Sequence, residues 1–489
     1  MAAAQIFGQA LVGIKANTIE VETTISNGLP QLAIVGLSEK RARSMRERVR
    51  SAIEQSGFVL PDRRIVVNLA PADLPKEHSG FDLPVAISIL VASGQIDPQD
   101  FLSVCAMGEL SLSGRVRAAP GFLNAAINCQ RQALALLGPY QDDIPMLPGE
   151  LDYHVVGSLA DLRQPLRPFD ASMPEIPILE PQPEKVLDQV LGQAMAKRAL
   201  IIAAAGDHHM LLSGPPGSGK TMLAQRLATL LPALNDAERL EIACIQSMAG
   251  KTEGYRNINR PFREIHHSAS AAALIGGGSP PRPGEITMAH LGVLFLDELA
   301  EFAPNVLNQL RQPLESGSID LQRAHHRVQY PAGFQLIAAT NPCPCGWLGS
   351  RKPCTCSVEQ VQRYRQRISG PILDRIDLQV SVNSLEPDLM LQSDALQTAQ
   401  SPEHETAVAI IQKARALQQD RRQHKTRQHP RQQLQKDARR MLLSRAKSFH
   451  LSARSIDRII RVSRTIADLE GETAILSTHL EEALLFRQG

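Results

Sequence analysis

Three short stretches of this sequence hold residue types whose spacing could do chemistry together. The first is HHMLLSGPPGSGKTMLAQRLATLL, in which an apolar run, Met210 to Leu212, leads into Gly214, Pro215, Pro216, Gly217, Ser218, Gly219, Lys220 and Thr221, followed by an apolar-periodic helix. Strand, glycine loop and helix in this order are what a phosphate-binding loop needs. The glycines let backbone N–H groups wrap phosphates, and the helix N-terminus adds partial positive charge. Lys220 is placed for the β- and γ-phosphates of ATP, and the Thr221 hydroxyl for Mg2+. A glycine-rich structural turn is the competing explanation, and the flanking strand and helix weigh against it.

The second stretch, LGVLFLDELAEF, reads as a buried strand, Val293 to Leu296, that delivers Asp297 and Glu298 at its end. Asp297 can hold Mg2+ and Glu298 can polarise an attacking water. An apolar strand running into an acidic helix start looks similar, so this signal gains its weight from the loop upstream. The third, FQLIAATN, ends at Asn341. A polar amide at the end of a buried strand can orient that water and sense the γ-phosphate, although such an Asn is more often a turn former. Directly after it comes NPCPCGWLGSRKPCTCS, which holds Cys343, Cys345, Cys354 and Cys356, four of the seven cysteines of the chain. Four thiolates meet the ligand count of a structural Zn2+ site. The Cys-x-Cys spacing is less usual than Cys-x-x-Cys, and disulfides or metal-free thiols are the alternatives.

These residues need elements to hold them. A chain of 489 residues exceeds one ordinary core. Its 43% hydrophobic and 21% charged residues are those of a globular protein, and a net charge of +2 says little about partners. The first residues show no basic region before their apolar stretch, so no secretory signal is read. No apolar run reaches the roughly 20 residues that cross a bilayer. A cytoplasmic, reducing location is expected, with no membrane partner, where clustered cysteines favour metal over disulfides.

Residues 1–166 alternate strand-like runs (RIVVNLAP, LDYHVVG) with the helix-like FDLPVAISILVASGQI, which suggests a compact α/β domain. Prolines crowd residues 167–185, expected to be a linker. A second α/β region spans 186–385, and 386–489 reads as helical and polar. Within the latter, QQDRRQHKTRQHPRQQ carries Arg421, Arg422, Lys425, Arg427 and Arg431 with only Asp420 as a nearby acid. Such a run is a solvated linker or a nucleic-acid contact, and it has no interleaved aromatics to stack bases.

GPPGSGKT, LFLDE and ATN in this order resemble the AAA+ ATPases. RPFREIHHSASAAALIGGGSPPRPGEITMAHLGVLFLDELAEF, NPCPCG and SGPILDRIDL narrow the resemblance to the magnesium-chelatase-like AAA+ family of ComM and YifB, over essentially the whole chain. The resemblance implies an α/β fold: an AAA+ P-loop module with a helical lid, preceded by a Lon-protease-like α/β domain. It implies that Arg375 is an arginine finger acting on a neighbouring subunit, hence a homo-oligomeric ring, usually hexameric. Arg454 matches the second sensor of the lid, and Gln193 the segment that approaches adenine.

Two insertions stand out. IHHSASAAALIGGGSPPRPGEI has the composition of a mobile loop or hairpin, and SIDLQRAHHRVQYP reads as a hairpin with arms Ile319 to Leu321 and Val328 to Tyr330. Its tip would carry Arg323, His325, His326 and Arg327, which in related ring helicases would face the pore and meet DNA phosphates; the plain alternative is a solvated turn. The segments PKEHSGFDLPVAISILVASG and GELSLSGRVRAAPGFLNAA resemble the Lon peptidase domain, with Gly80 at the serine position, Ser79 one place off, and Leu123 at the lysine position. Without that lysine the expectation is a peptidase fold without proteolysis. The function implied is an ATP-driven motor on single-stranded or branched DNA, a helicase or branch-migration factor in natural transformation; the alternative is a chelatase-type motor that remodels a partner protein.

Overall fold

The computed structural model describes residues 2–487 except 75, 77–78, 143, 145–146, 167, 170–186, 252–257, 279–281, 324–325, 369, 385–402 and 424–429. The expected proline-rich linker therefore lies outside the described residues but for Pro168 and Phe169.

The amino-terminal part is built on strands β1 (Ala2–Val12), β2 (Lys15–Ser26), β3 (Gln31–Val35), β4 (Arg64–Ala70), β5 (Val104–Ala106), β6 (Glu109–Leu110), β7 (Val116–Arg117), β8 (Ala135–Gly138) and β9 (Tyr153–Val155). Seven of them form one sheet in the order β3-β4-β2-β1-β5-β8-β9. In β2 every second residue, Ile19, Val21, Thr23 and Ile25, is buried, the period that one solvated face imposes on a strand. Helix α1 (Glu39–Gln55) packs on β3, α2 (Asp82–Ala92) on β1 and β2, and α3 (Phe122–Arg131) on β2 and β8. Ser79–Phe81 is a short 3-10 turn at the head of α2, and the Gly108 N–H donates to the Gly80 carbonyl at 3.0 Å.

The second part is a five-stranded parallel sheet made of β10 (Met210–Ser213), β11 (Phe262–Ile265), β14 (Val293–Leu296), β17 (Gln335–Thr340) and β18 (Leu378–Ser381), in the order β11-β14-β17-β10-β18. Two hairpins interrupt it: β12 (Gly276–Gly277) with β13 (Arg282–Pro283), and β15 (Ser318–Arg323) with β16 (His326–Pro331). Because both faces are covered, β14 and β17 are buried throughout, and alternate apolar residues enter two different cores. Val293, Phe295, Ile337 and Ala339 join helices α4 (Ala194–Gly206) and α5 (Lys220–Leu230). Leu294, Leu296, Leu336 and Ala338 join Leu274, Ile286 and the base of the β15–β16 hairpin. After β10 and α5 comes α6 (Asp236–Met248), whose Asn235 and Glu238 form a capping box. The first insertion is thus ordered in its described residues, as β11, a short helix Ala271–Ile275 and the β12–β13 hairpin.

Among the described residues four α-helices follow, Glu403–Gln423, Lys436–Ser448, Ala453–Glu470 and Ser477–Leu485. Their buried Ala407, Ile411, Ile459, Ile466 and Leu480 share the α4 core, and Lys197 and Arg198 of α4 pair with Glu403 and Glu482. The basic run reads differently in three dimensions. Arg421 chelates the buried carboxylate of Asp468, and Arg431 pairs with Asp457 at 2.8 Å through Nε. The sequence shows only Asp420 nearby because the partners of Arg421 and Arg431 come from a helix 47 and 26 positions away.

Phe295, on β14, is fully buried. Phe295→Ala should lower the unfolding free energy by about 3–5 kcal/mol, read as an earlier urea transition.

Candidate functional site

Parallel pairing decides which residues meet. β10 runs alongside β17 with Ser213 opposite Thr340, and β14 alongside β17 with Leu296 opposite Ala338. Ile265 of β11 lies opposite Leu296. The residues that leave these strands, Gly214, Asn341, Asp297, Glu298, His266 and His267, therefore stand along one carboxyl rim, where open parallel sheets bind ligands.

The loop between β10 and α5 is cut to fit phosphate. The Gly214 N–H donates to the Thr340 carbonyl at 3.2 Å, and a Cβ on Gly214 would sit 2.2 Å from the Val382 oxygen. Gly217 and Gly219 take left-handed φ values of 76° and 86°, which glycine adopts without strain. Ser218 Oγ is buried and has no hydrogen-bond partner among the described residues. Lys220 Nζ donates to the carbonyls of Gly214 at 2.7 Å and Pro215 at 3.0 Å, and to Asn341 Oδ1 at 3.2 Å. Burial lowers its pKa, opposed by the charges of Asp297 and Glu298. A buried ammonium, an orphan hydroxyl and two left-handed glycines fit an ATP polyphosphate. Thr221 and Asp297, both half-buried, are the oxygen donors available for Mg2+.

Glu298 has the left-handed conformation, φ 52° and ψ 50°, and its N–H donates to Asp297 Oδ1 at 2.9 Å. Its Oε2 lies 3.0 Å from His267 Nδ1, and the rings of His266 and His267 are 4.1 Å apart. The sequence reading missed His267; the signal was a histidine pair at the end of a strand beside the acidic one.

Of the other expected site residues, Gln193 stands at this rim, whereas Arg375 precedes β18 and so lies at the opposite, amino end of the parallel sheet. Gln193 precedes α4 with φ 53° and donates to the Asn383 carbonyl at 2.6 Å, just past β18. Arg375 is ion-paired with Glu315, so a role toward a neighbouring subunit needs that pair to exchange. Arg454 is exposed in the first turn of its helix. Arg487 ties that end of the helix to the chain beside Arg375, donating to the Ile376 carbonyl at 2.9 Å and to Ser455 Oγ at 3.4 Å. Arg323, His326 and Arg327 lie on the hairpin strands, but their side chains, and all of His325, are outside the described residues.

The cysteine loop leaves the rim directly. Cys343, Cys345 and Cys354 have Sγ separations of 3.4, 3.5 and 3.7 Å, and Cys356 completes a group whose sulfurs all lie within 4.8 Å. Tetrahedral Zn–S bonds of about 2.3 Å require S···S distances of about 3.8 Å, so these residues fit a metal. Backbone N–H groups of Trp347 and Thr355 pull the Cys345 thiol down to about 6, whereas, against a backbone hydrogen bond, burial and the neighbouring thiols push Cys354 and Cys356 up. Within this loop, a Cβ on Gly346 would lie 2.8 Å from Pro216 Cδ, so the loop rests on the phosphate-binding loop itself.

Comparison with known proteins agrees with this geometry. Family models for magnesium chelatase subunit ChlI match residues 186–390 and 21–141, and one for the ChlI carboxyl-terminal region matches 402–487. The competence protein ComM of Haemophilus influenzae is 41% identical over 503 residues, covering 100% of this chain and 98% of that protein. The chain belongs to the ComM/YifB family of magnesium-chelatase-like AAA+ proteins. YifB of Salmonella typhimurium is 40% identical, across 100% of this chain and 97% of its own. Lon protease 2 of Bacillus subtilis is 30% identical over 199 residues, 35% of this chain and 36% of that protein. Family membership agrees with ATP chemistry at the rim. Among the described residues, no helix is long and apolar enough to cross a membrane.

Gly346 and Gly349 share a left-handed backbone, but only Gly346 touches Pro216; around Gly349 there is open space. Gly346→Ala should weaken ATP binding about tenfold more than Gly349→Ala, about 1.4 kcal/mol, in a fluorescent-nucleotide titration. Equal affinities would remove the link between the two loops.

Proposed function

We propose that this protein is an ATP-hydrolysing ring motor acting on DNA, a helicase or branch-migration factor that promotes integration of incoming DNA during natural transformation. The observation that supports it best is the shared rim of Lys220, Asp297, Glu298 and Asn341 in a chain similar over its full length to a competence protein. Gly214 to Thr221 hold the triphosphate, and Lys220 exchanges its carbonyl partners for β- and γ-phosphate oxygens. Thr221 and Asp297 hold Mg2+, which neutralises charge on the phosphates when bound. Glu298, released from His267, takes the proton of the attacking water, and Asn341 orients that water. Arg375 leaves Glu315 to stabilise the transferring phosphoryl of the next subunit, and Arg454 reads the γ-phosphate of its own. Gln193 lies beside the adenine.

The β15–β16 hairpin supplies the DNA contact, with Arg323, His325, His326 and Arg327 set against phosphates in the pore of a hexamer. Cys343, Cys345, Cys354 and Cys356 bind a structural Zn2+ that clamps their loop beside Asn341. The match to magnesium chelatase subunit ChlI favours a second reading, a motor that remodels a partner protein.

ATPase rates with and without forked or single-stranded DNA separate the two readings. The DNA motor predicts stimulation severalfold and strand displacement that Lys220→Ala and Glu298→Gln abolish without unfolding the protein. No stimulation, and no DNA binding at moderate salt, would reject it. Metal analysis of protein purified without chelators should find one zinc per chain, falling to near zero in Cys343→Ser/Cys354→Ser; well under one in the unmodified protein would reject the clamp.

A further inference from the structure

The amino-terminal sheet makes two contacts with the ATPase part that the scheme above does not use. The first lies where a Lon-type peptidase would hold its lysine. Leu123, near the start of α3, is buried in an apolar cluster with Leu234, Ile242, Ala243 and Ile258 of the ATPase part. Its N–H donates to Ser247 Oγ at 3.4 Å, and the Gly121 N–H donates to the Ser247 carbonyl at 3.0 Å. Gly121 has φ 81°, and a Cβ there would fall 2.8 Å from Met248 Sδ and 2.4 Å from Leu11 Cδ1. Position 123 is therefore covered by α6, the helix that follows the phosphate-binding helix.

The second contact is made by the turn between β1 and β2. Gly13 has φ 62°, and a Cβ there would lie 2.7 Å from the Gln329 backbone oxygen and 3.4 Å from Val328 Cγ1, both on β16. Ile14 packs against the apolar cluster that includes Ile319, Leu321, Val328 and Tyr330, at the base of the hairpin. One buried side chain joins the two contacts. Asn124, next to Leu123, donates through Nδ2 to the Ile14 carbonyl at 2.7 Å.

We propose that the amino-terminal domain is an internal brace that fixes the β15–β16 hairpin relative to α6, so that a shift of the segment behind the phosphate-binding helix is carried to the hairpin base. The start of α3, at Gly121 and Leu123, is the seat for α6 of its own chain. Two features make this more than incidental packing. Gly13 and Gly121 both stand where a side chain would strike the facing element, so the approach is as close as backbone permits. The buried Asn124 amide leaves little freedom between the two contacts, because breaking its hydrogen bond strands a polar group away from water. The path through α6, α3, Asn124 and Ile14 is a coupling claim, and it needs a coupling measurement.

The inference rests on the proposed function only in giving the hairpin a task, and its test needs no DNA. Amide hydrogen exchange across residues 318–331 is measured on the full-length protein, with and without a slowly hydrolysed ATP analogue, for the unmodified protein, Gly13→Val and Asn124→Ala. The brace predicts nucleotide-dependent protection of the hairpin in the unmodified protein. In both variants that dependence should be lost and the hairpin amides should exchange about tenfold faster, with ATP affinity and exchange in α4 unchanged. Two results would overturn it: hairpin exchange indifferent to nucleotide in the unmodified protein, or the same nucleotide dependence in folded Gly13→Val and Asn124→Ala. A separate arm measures stimulation of ATPase by forked DNA. If DNA does not stimulate while the exchange result holds, the motor-on-DNA reading falls and the brace stands.

Discussion

The parallel pairing of β10 and β14 with the central strand β17 is the constraint from which the rest of the site follows. Beyond their last paired residues these strands release the parts of the site: Gly214 follows Ser213 level with Asn341, and Asp297 follows Leu296 two residues earlier along β17. A slip of one residue in β17 would turn Ile337 and Ala339 away from the α4 core and remove Asn341 from Lys220. The apolar continuity of VLFL and LIAAT therefore does two things at once. It fills two cores with alternate side chains, and it fixes the distance between groups that handle a phosphate.

Charged groups at this rim, and Arg375 at the opposite end of the sheet, are held by contacts within the chain. Lys220 lies on two loop carbonyls and Asn341, Glu298 faces His267, and Arg375 faces Glu315. Each group is satisfied without a nucleotide, which lowers the cost of burying it. Each pair also joins the site to another element: His267 begins the first insertion, and Glu315 sits in the short helix before the β15–β16 hairpin. The cysteine loop adds a rigid neighbour, because Gly346 rests on Pro216 while its chain emerges from Asn341. Movement of these groups would thus be felt at both insertions and at the cysteine loop.

The strand, loop and helix around Lys220, the strands before Asp297 and Asn341, and the arms of the β15–β16 hairpin were legible in the sequence because each depends on local pattern. Buried parallel strands are written as apolar runs, and glycines mark a backbone that other residues cannot adopt. The partners of charged groups were not legible. Arg421 with Asp468, Arg431 with Asp457 and Glu298 with His267 are brought together by tertiary packing, which leaves no local signature. The seat of α6 on α3 was hidden in the same way. Leu123 carries no local sign of its partners, and only the folded chain brings Leu234 and Ile242 against it.

In the proposed function, ATP bound at the rim is coupled to DNA held by the β15–β16 hairpins of a ring. Electron cryo-microscopy of the Glu298→Gln protein with ATP, Mg2+ and forked DNA tests it most directly. The prediction is a closed ring with nucleotide between Lys220 of one subunit and Arg375 of the next, and DNA passing against the hairpins around residues 323–327. A monomer binding ATP without a neighbour's arginine, or DNA bound away from the hairpins, would contradict it.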